Sequence, residues 1–281
     1  MLKNIFILAF IKLLFLFNLF FHGNLYSNKK FIIWDIGDTL FKADKFKMMQ
    51  KIGLFDIALY TIFSFKNPYR IQDKIFNIMD DCNYKKYPHP VYSNGKKLPD
   101  IMCYWMAGLL SNDEILNIAN NKIDEYCKSK KMVDKREIKI VKNIIKNMFD
   151  PKILASCMKP IKGVSQLLRR CKKNGFTLVI LSNFDSIAFN YIKNDKKNRS
   201  IFRYFNPNHI FVSGDIKMLK PSKDIYKYVL DKLKTDPSRC IFIDDQIENI
   251  KSALECGIDS ILIENYNIKN LESDLKKANI I

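Results

Sequence analysis

The chain has 281 residues, 48% of them hydrophobic, enough for one large domain or for a core carrying an inserted module. Its formal charge of +18 comes from lysines scattered along the whole length, with no arginine-rich block and no aromatic-interleaved basic motif. The balance therefore reads as a solvated surface, and no nucleic-acid partner is expected. The seven cysteines, at 82, 103, 127, 157, 171, 240 and 256, form no C-x-x-C pair, and with only three histidines they argue for buried thiols and against a zinc site.

"MLKNIFILAFIKLLFLFNLFFHGNLYSNKK" opens with one lysine, runs apolar from Ile5 to Phe21 and ends in a polar stretch from His22 to Lys30. A basic start, an apolar run and a polar tail are the pattern of a secretory signal peptide. Lys12 and Asn18 interrupt the run and no A-x-A site is visible, so an uncleaved membrane anchor is the alternative. A buried helix of the fold is the third option, but the next strand starts at once and leaves this segment little to pack on. Residues 1–28 are set aside as signal peptide or anchor. They imply an exported (periplasmic or secreted) or membrane-anchored protein that meets the membrane only through this segment. Export would put an odd number of cysteines in an oxidising compartment.

"FIIWDIGDTLF", residues 31–41, is an apolar strand running into Asp35 and then a turn that holds Asp38. Residues 43–157 follow with helical spacing in "KFKMMQKIGLFDIALYTIF", "IQDKIFNIMD", "NDEILNIANNKIDEYC" and "REIKIVKNIIKNMF", and no convincing strand. "YPHPVYSNGKKLP" is a turn-rich break, and the aromatic pair in "IMCYWMAGLL" reads as core packing. From Lys162 onward, helices such as "GVSQLLRRCKKNG" alternate with short apolar strands, "FTLVILSN", "HIFVSGD", "RCIFIDD" and "IDSILI". That alternation predicts an α/β fold: a three-layer, Rossmann-like parallel sheet with helices on both faces. The first strand needs the later ones as sheet partners. The helical stretch is therefore an all-helical insert, 43–157, within a core of 29–42 and 158–281.

Ligands of parallel α/β sheets bind at the carboxyl ends of the strands. Those ends carry Asp35 and Thr39, then Ser182 and Asn183, then Asp244 and Asp245, with Lys220 ahead of Pro221 and a helix. Each has an ordinary structural role when taken singly, as turn former, helix cap or surface lysine. Taken together they bring three carboxylates, a hydroxyl and an ammonium to one crevice. Crowded carboxylates need a cation, and an all-oxygen site suits Mg²⁺. A phosphate would supply the remaining charge for Mg²⁺, Lys220 and the helix amides after Ser182 to hold.

These stretches resemble the haloacid dehalogenase-like superfamily of hydrolases. "WDIGDTLF" resembles its first motif and "VILSN" its second. "GDIKMLKPSKDIYKYVL" and "CIFIDDQIENIKSALECGI" resemble the third and fourth, and the helical insert stands where this family carries its cap. The resemblance implies a Mg²⁺-dependent phosphatase acting on a small phosphorylated metabolite through an aspartyl-phosphate. Asp35 would be the nucleophile, with Ser182, Asn183 and Lys220 around the phosphoryl group. Asp35, the Gly37 carbonyl, Asp244 and Asp245 would hold the metal. Most phosphatases of the family carry an acid where this chain has Gly37, and Asp38, one position on, is the candidate substitute. Two other outcomes remain open: a 2-haloacid dehalogenase, which tolerates the Gly37 change but does not need the Asp244–Asp245 pair, and a non-catalytic protein that binds a phosphoryl ligand or a partner.

Overall fold

The computed structural model describes residues 29–54, 57, 69–82, 84–93 and 95–281. The apolar segment read as signal peptide or anchor lies outside them. Among the described residues no helix is long and apolar enough to cross a membrane.

Five strands form one parallel sheet: β1 (Phe31–Trp34), β2 (Thr177–Ser182), β3 (Ile210–Val212), β4 (Cys240–Asp244) and β5 (Asp259–Leu262), in the order β3-β2-β1-β4-β5. The first strand in sequence is the middle strand in space. Its four residues are all buried, which an unbroken Phe-Ile-Ile-Trp run can supply and an alternating one cannot. Trp34 sits in register with Ile180 on one side and Ile243 on the other, so Asp35 emerges between the ends of β2 and β4.

Between β1 and β2 the chain leaves the sheet and returns. Phe41–Ala43 pairs antiparallel with Met158–Pro160, the Ile161 amide donates to the Leu40 carbonyl (3.0 Å), and Asp44 meets Lys159 (3.1 Å). This ribbon places entry and exit side by side, as an insertion requires. The insert carries α1 (Lys45–Ile52), α2 (Tyr69–Asp80), α3 (Asp100–Met106), α4 (Asn112–Lys128), α5 (Lys135–Phe149) and α6 (Pro151–Ser156). It has its own apolar centre, with Ile115, Ala119 and Ile123 of α4 facing Ile140, Val141 and Ile145 of α5. Trp105 packs edge-on to Phe149 within it, as expected of the aromatic pair. Capping fixes the helix starts: Ser111 and Glu114 form a reciprocal box, and Asp134 takes the Arg136 and Glu137 amides. Two details depart from the sequence expectation. The helix predicted over 45–63 is interrupted after Ile52 by Gly53 at φ 112°. The turn-rich break holds a small hairpin, Tyr92–Ser93 with Lys96–Lys97, too short to show any periodicity.

Five longer helices, α7 (Val164–Lys173), α8 (Ser186–Asn194), α9 (Lys223–Leu233), α10 (Ile247–Glu255) and α11 (Ile268–Lys277), complete the layers. Alternate strand residues point to opposite faces. Ile32, Trp34, Leu178, Ile180, Ile241 and Ile243 pack with α7, α8 and α11, while Phe31, Ile33, Val179, Leu181 and Phe242 pack with α9 and α10. All seven cysteines are free thiols, four buried and three half-buried. Burial pushes Cys103, Cys171 and Cys240 up to about 12, so they stay protonated at neutral pH.

Candidate active site at the strand ends

Asp35 leaves β1 with its amide bonded to the Ile243 carbonyl (2.9 Å), and the residue is buried at 6% exposure. The chain then folds back at once, the Leu40 and Phe41 amides both donating to the Ile36 carbonyl (3.0 and 2.8 Å). This tight turn places Gly37 beside the carboxylate: a Cβ built on Gly37 would lie 3.8 Å from Asp35 Oδ2. Asp38 takes a left-handed backbone (φ 53°), and its half-buried carboxyl accepts a hydrogen bond from Tyr266. Thr39 is fully buried in the same turn, and its hydroxyl has no hydrogen-bond partner among the described residues.

Lys220 reaches the centre from the loop after β3. Its Nζ donates to Asp35 Oδ1 (2.6 Å), Asp244 Oδ2 (2.6 Å) and the Leu181 carbonyl (3.0 Å), which satisfies all three protons of a lysine that is 1% exposed. Burial pulls its pKa down, but Asp244 and Asp35 outweigh that and hold it above the usual lysine value. The lysine backbone is gripped by Asn183, whose side chain accepts from the Lys220 amide and donates to its carbonyl, both at 2.8 Å.

Asp244 and Asp245 play different parts. Asp244 is fully buried, and its oxygens take the Lys220 ammonium, the Gln246 amide (2.7 Å) and the Asn249 side chain (3.0 and 3.1 Å). Asp245 is half-buried and bonded by the Gln246 side chain. Burial, followed by the charges of Asp244, Asp35 and Asp38, pushes Asp245 up to about 8. Burial likewise raises Asp35 to about 6 against the pull of Lys220. Asp38 and Asp245 line a cavity of about 450 Å³ together with Gly95 of the cap hairpin, Asn265 and Tyr266.

The structure also shows what each expected residue touches. The Asp244 carboxylate faces Lys220, Gln246 and Asn249, whereas Asp245 faces the cavity. The Asn183 side chain clamps the backbone of Lys220. The helix amides after Ser182 are not on offer: α8 starts at Ser186, and the buried Asp185 caps it by taking the Ala188 amide (2.8 Å). Ser182 ends β2 at 1% exposure, one residue beyond the register of Asp35. Sequence reasoning did not single out Asn249 or Tyr266. Asn249 lies five residues beyond Asp244 in the first turn of α10, a legible position, whereas the approach of Tyr266 depends on two successive left-handed residues, Asn265 (φ 52°) and Tyr266 (φ 56°).

Among the described residues no three His, Cys, Asp or Glu side chains converge as a complete metal cage. The donor set still fits a hard cation. Asp35 and Asp245 are oxygen donors driven toward neutrality by burial and neighbouring negative charge, which a divalent ion would relieve. Mg²⁺ also characteristically takes only one or two carboxylates and keeps waters or phosphate oxygens for the rest.

The family model for haloacid dehalogenase-like hydrolases matches residues 29–257, which include four of the five sheet strands, the cap and the site residues from Asp35 to Asn249, but not Asn265 or Tyr266. The chain belongs to that family. A haloacid dehalogenase family enzyme of Bacteroides thetaiotaomicron superposes with a TM-score of 0.54 at 20% identity, covering 87% of this chain and 98% of that one. A variant of the same enzyme, in complex with magnesium and inorganic phosphate, superposes at 0.50, and a hydrolase of Xanthomonas campestris at 0.54 with 11% identity. In sequence, flavin mononucleotide hydrolase 1 of Arabidopsis thaliana is 30% identical over 136 residues, 47% of this chain and 52% of that protein. Bifunctional epoxide hydrolase 2 of mouse is 31% identical over 99 residues, 34% of this chain and 17% of that protein. The chain thus spans about half, or less, of the length of these two relatives.

Proposed function

We propose that this enzyme hydrolyses small phosphomonoesters with Mg²⁺ as cofactor, through a phosphoryl group carried on Asp35. The observation that carries this reading is the buried pairing of Asp35 with Lys220 close to Asp245, which lines a polar cavity together with Asp38. Lys220 holds Oδ1 of Asp35 and leaves Oδ2, on the Gly37 side, as the attacking oxygen. Oδ2 forms a bond to phosphorus as the ester oxygen departs. Water then breaks the Asp35–phosphorus bond and regenerates the carboxylate. Asp38, whose pKa is raised chiefly by burial, donates a proton to the departing oxygen and then takes one from the water. Asp35, Asp245 and the Gly37 carbonyl would hold Mg²⁺, which supplies charge neutralisation for the phosphoryl oxygens. Ser182 would donate its hydroxyl to the same oxygens, and the cap would cover the crevice and exclude water. That the neighbouring Bacteroides enzyme was obtained with magnesium and phosphate supports this choice of ligands.

A 2-haloacid dehalogenase is the second reading, favoured by Gly37 alone. Displacement at carbon needs no cation, so it leaves the raised, half-buried Asp245 without a task. Phosphate release from p-nitrophenyl phosphate, with and without chelator, tests the proposal. Turnover is expected with Mg²⁺, none in excess chelator and none in a folded Asp35→Asn variant. Chelator-resistant turnover, or halide release from 2-chloropropionate in its place, would overturn it.

A further inference from the structure

The cap does more than cover the crevice: it is fastened to the loop that carries Lys220. Ser213, the residue after β3, is fully buried. Its hydroxyl donates to the carbonyl of Met106 at the end of cap helix α3 (2.7 Å) and accepts from the Phe184 amide (2.9 Å). Phe184 follows Asn183, the residue that clamps the backbone of Lys220. Beside it, Lys217 Nζ donates to the Gly108 carbonyl (2.5 Å). Gly108 approaches so closely, at φ 62°, that a Cβ there would lie 2.4 Å from the Gly214 carbonyl oxygen. Leu219, next to Lys220, is 1% exposed and belongs to the apolar centre of the cap. The lysine loop is therefore held by the cap at Ser213, at Lys217 and at Leu219.

We infer that Ser213 is a positioning residue for catalysis, linking the cap turn at Met106–Gly108 through Phe184 and Asn183 to Lys220 and so to the nucleophile. One hydroxyl joins three segments: the cap, the loop after β2 and the loop after β3. A lysine aimed at two carboxylates from a flexible loop would wander, and the dock makes its backbone part of a closed ring of contacts.

The inference rests on the phosphatase reading, and two measurements on Ser213→Ala keep the two apart. With p-nitrophenyl phosphate and Mg²⁺, kcat is expected to fall about tenfold with KM within about twofold, the size of one lost hydrogen bond expressed in the transition state. Paired with Asn183→Ala, the two losses should be less than additive, because both act on one path. The second readout needs no activity: hydrogen exchange at the Lys220 amide, bonded to Asn183, should quicken at least about tenfold in Ser213→Ala. Ser156→Ala, which removes a hydrogen bond to the Ile153 carbonyl away from the dock (2.8 Å), is the control and should change neither. Wild type without turnover would refute the phosphatase reading alone. Unchanged exchange at Lys220, or additive losses in kcat, would overturn the role of Ser213.

Discussion

Lys220 and Asp244 face each other at 2.6 Å with almost no exposure, 1% for the lysine and 0% for the aspartate. Each is the other's main compensation for leaving water. The remaining neighbours of Asp244, the Gln246 amide and the Asn249 side chain, are donors, so the site cannot accept an amide in its place without turning an NH₂ toward another donor. Removing one partner of a buried pair costs about 3–5 kcal/mol, whereas replacing both by apolar groups costs far less. Lys220→Met and Asp244→Asn should each lower stability to urea by about that amount. The double variant Lys220→Met with Asp244→Leu should lose less than the sum of its single changes, though it will be inactive. Additive losses in the urea midpoints would show that the pair is not the unit described.

The metal-free protein should be least comfortable at high pH. Asp35 and Asp245 rise from the usual 3.8 to about 6 and about 8 on folding. The folded state therefore holds protons that the unfolded chain has released, and stability falls as pH rises through the window from about 4 to about 8. Mg²⁺ takes the deprotonated carboxylates, so its stabilising effect should run the other way and grow with pH. Thermal melts without metal should show Tm falling between pH 5 and pH 8, with the Mg²⁺-induced rise largest at pH 8. Asp245→Asn should flatten the metal-free slope at the upper end of this window and abolish the Mg²⁺ shift. An undiminished Mg²⁺ shift in that variant would place the metal elsewhere.

Much of this architecture was legible because parallel sheets bury whole strands. Phe31–Trp34, Thr177–Ser182 and Cys240–Asp244 read as short apolar runs, and their polar termini mark the functional edge. The insertion was legible for a similar reason: a fully buried first strand needs partners on both sides, and the first available ones begin after residue 157. The orientation of the acids was not legible. Asp244 and Asp245 are equivalent letters at a strand end, and only the pleat decides that one faces Lys220 and the other the cavity. The hold of Asn183 on the Lys220 backbone was not legible either, because it crosses 37 residues. Tyr266 came from a loop whose left-handed residues, Asn265 and Tyr266, are neither glycines nor part of any pattern.

The N-terminal segment carries a prediction of its own. A basic start and an apolar run from Ile5 to Phe21 motivate the proposal of export or anchoring. Protein recovered from its native source should lack roughly the first 22–28 residues or sediment with membranes. Recovery of the full-length chain in a soluble cytoplasmic fraction would contradict both forms of the proposal.

Gly37 and Asp38 decide how the leaving group receives its proton. Gly37 does not take the left-handed backbone that would forbid a side chain, and an added Cβ makes only ordinary contact with Asp35 at 3.8 Å. Gly37→Asp should therefore fold, with a modest drop in metal-free Tm from the added negative charge and recovery in Mg²⁺. Asp38 sits in the left-handed conformation that Asp tolerates better than most residues, and Tyr266 holds its carboxyl at the cavity. If Asp38 is the acid, Asp38→Asn should slow alkyl phosphates by about 10²-fold or more and p-nitrophenyl phosphate far less, since nitrophenolate departs without a proton. Tyr266→Phe should reproduce part of that selectivity, because the carboxyl loses its tether but not its chemistry. Gly37→Asp should then add little to wild type yet rescue Asp38→Asn on alkyl substrates. Equal losses on both substrate types in Asp38→Asn would remove Asp38 from proton transfer. A large, alkyl-selective gain in Gly37→Asp on the wild-type background would show that the enzyme works without any acid at all.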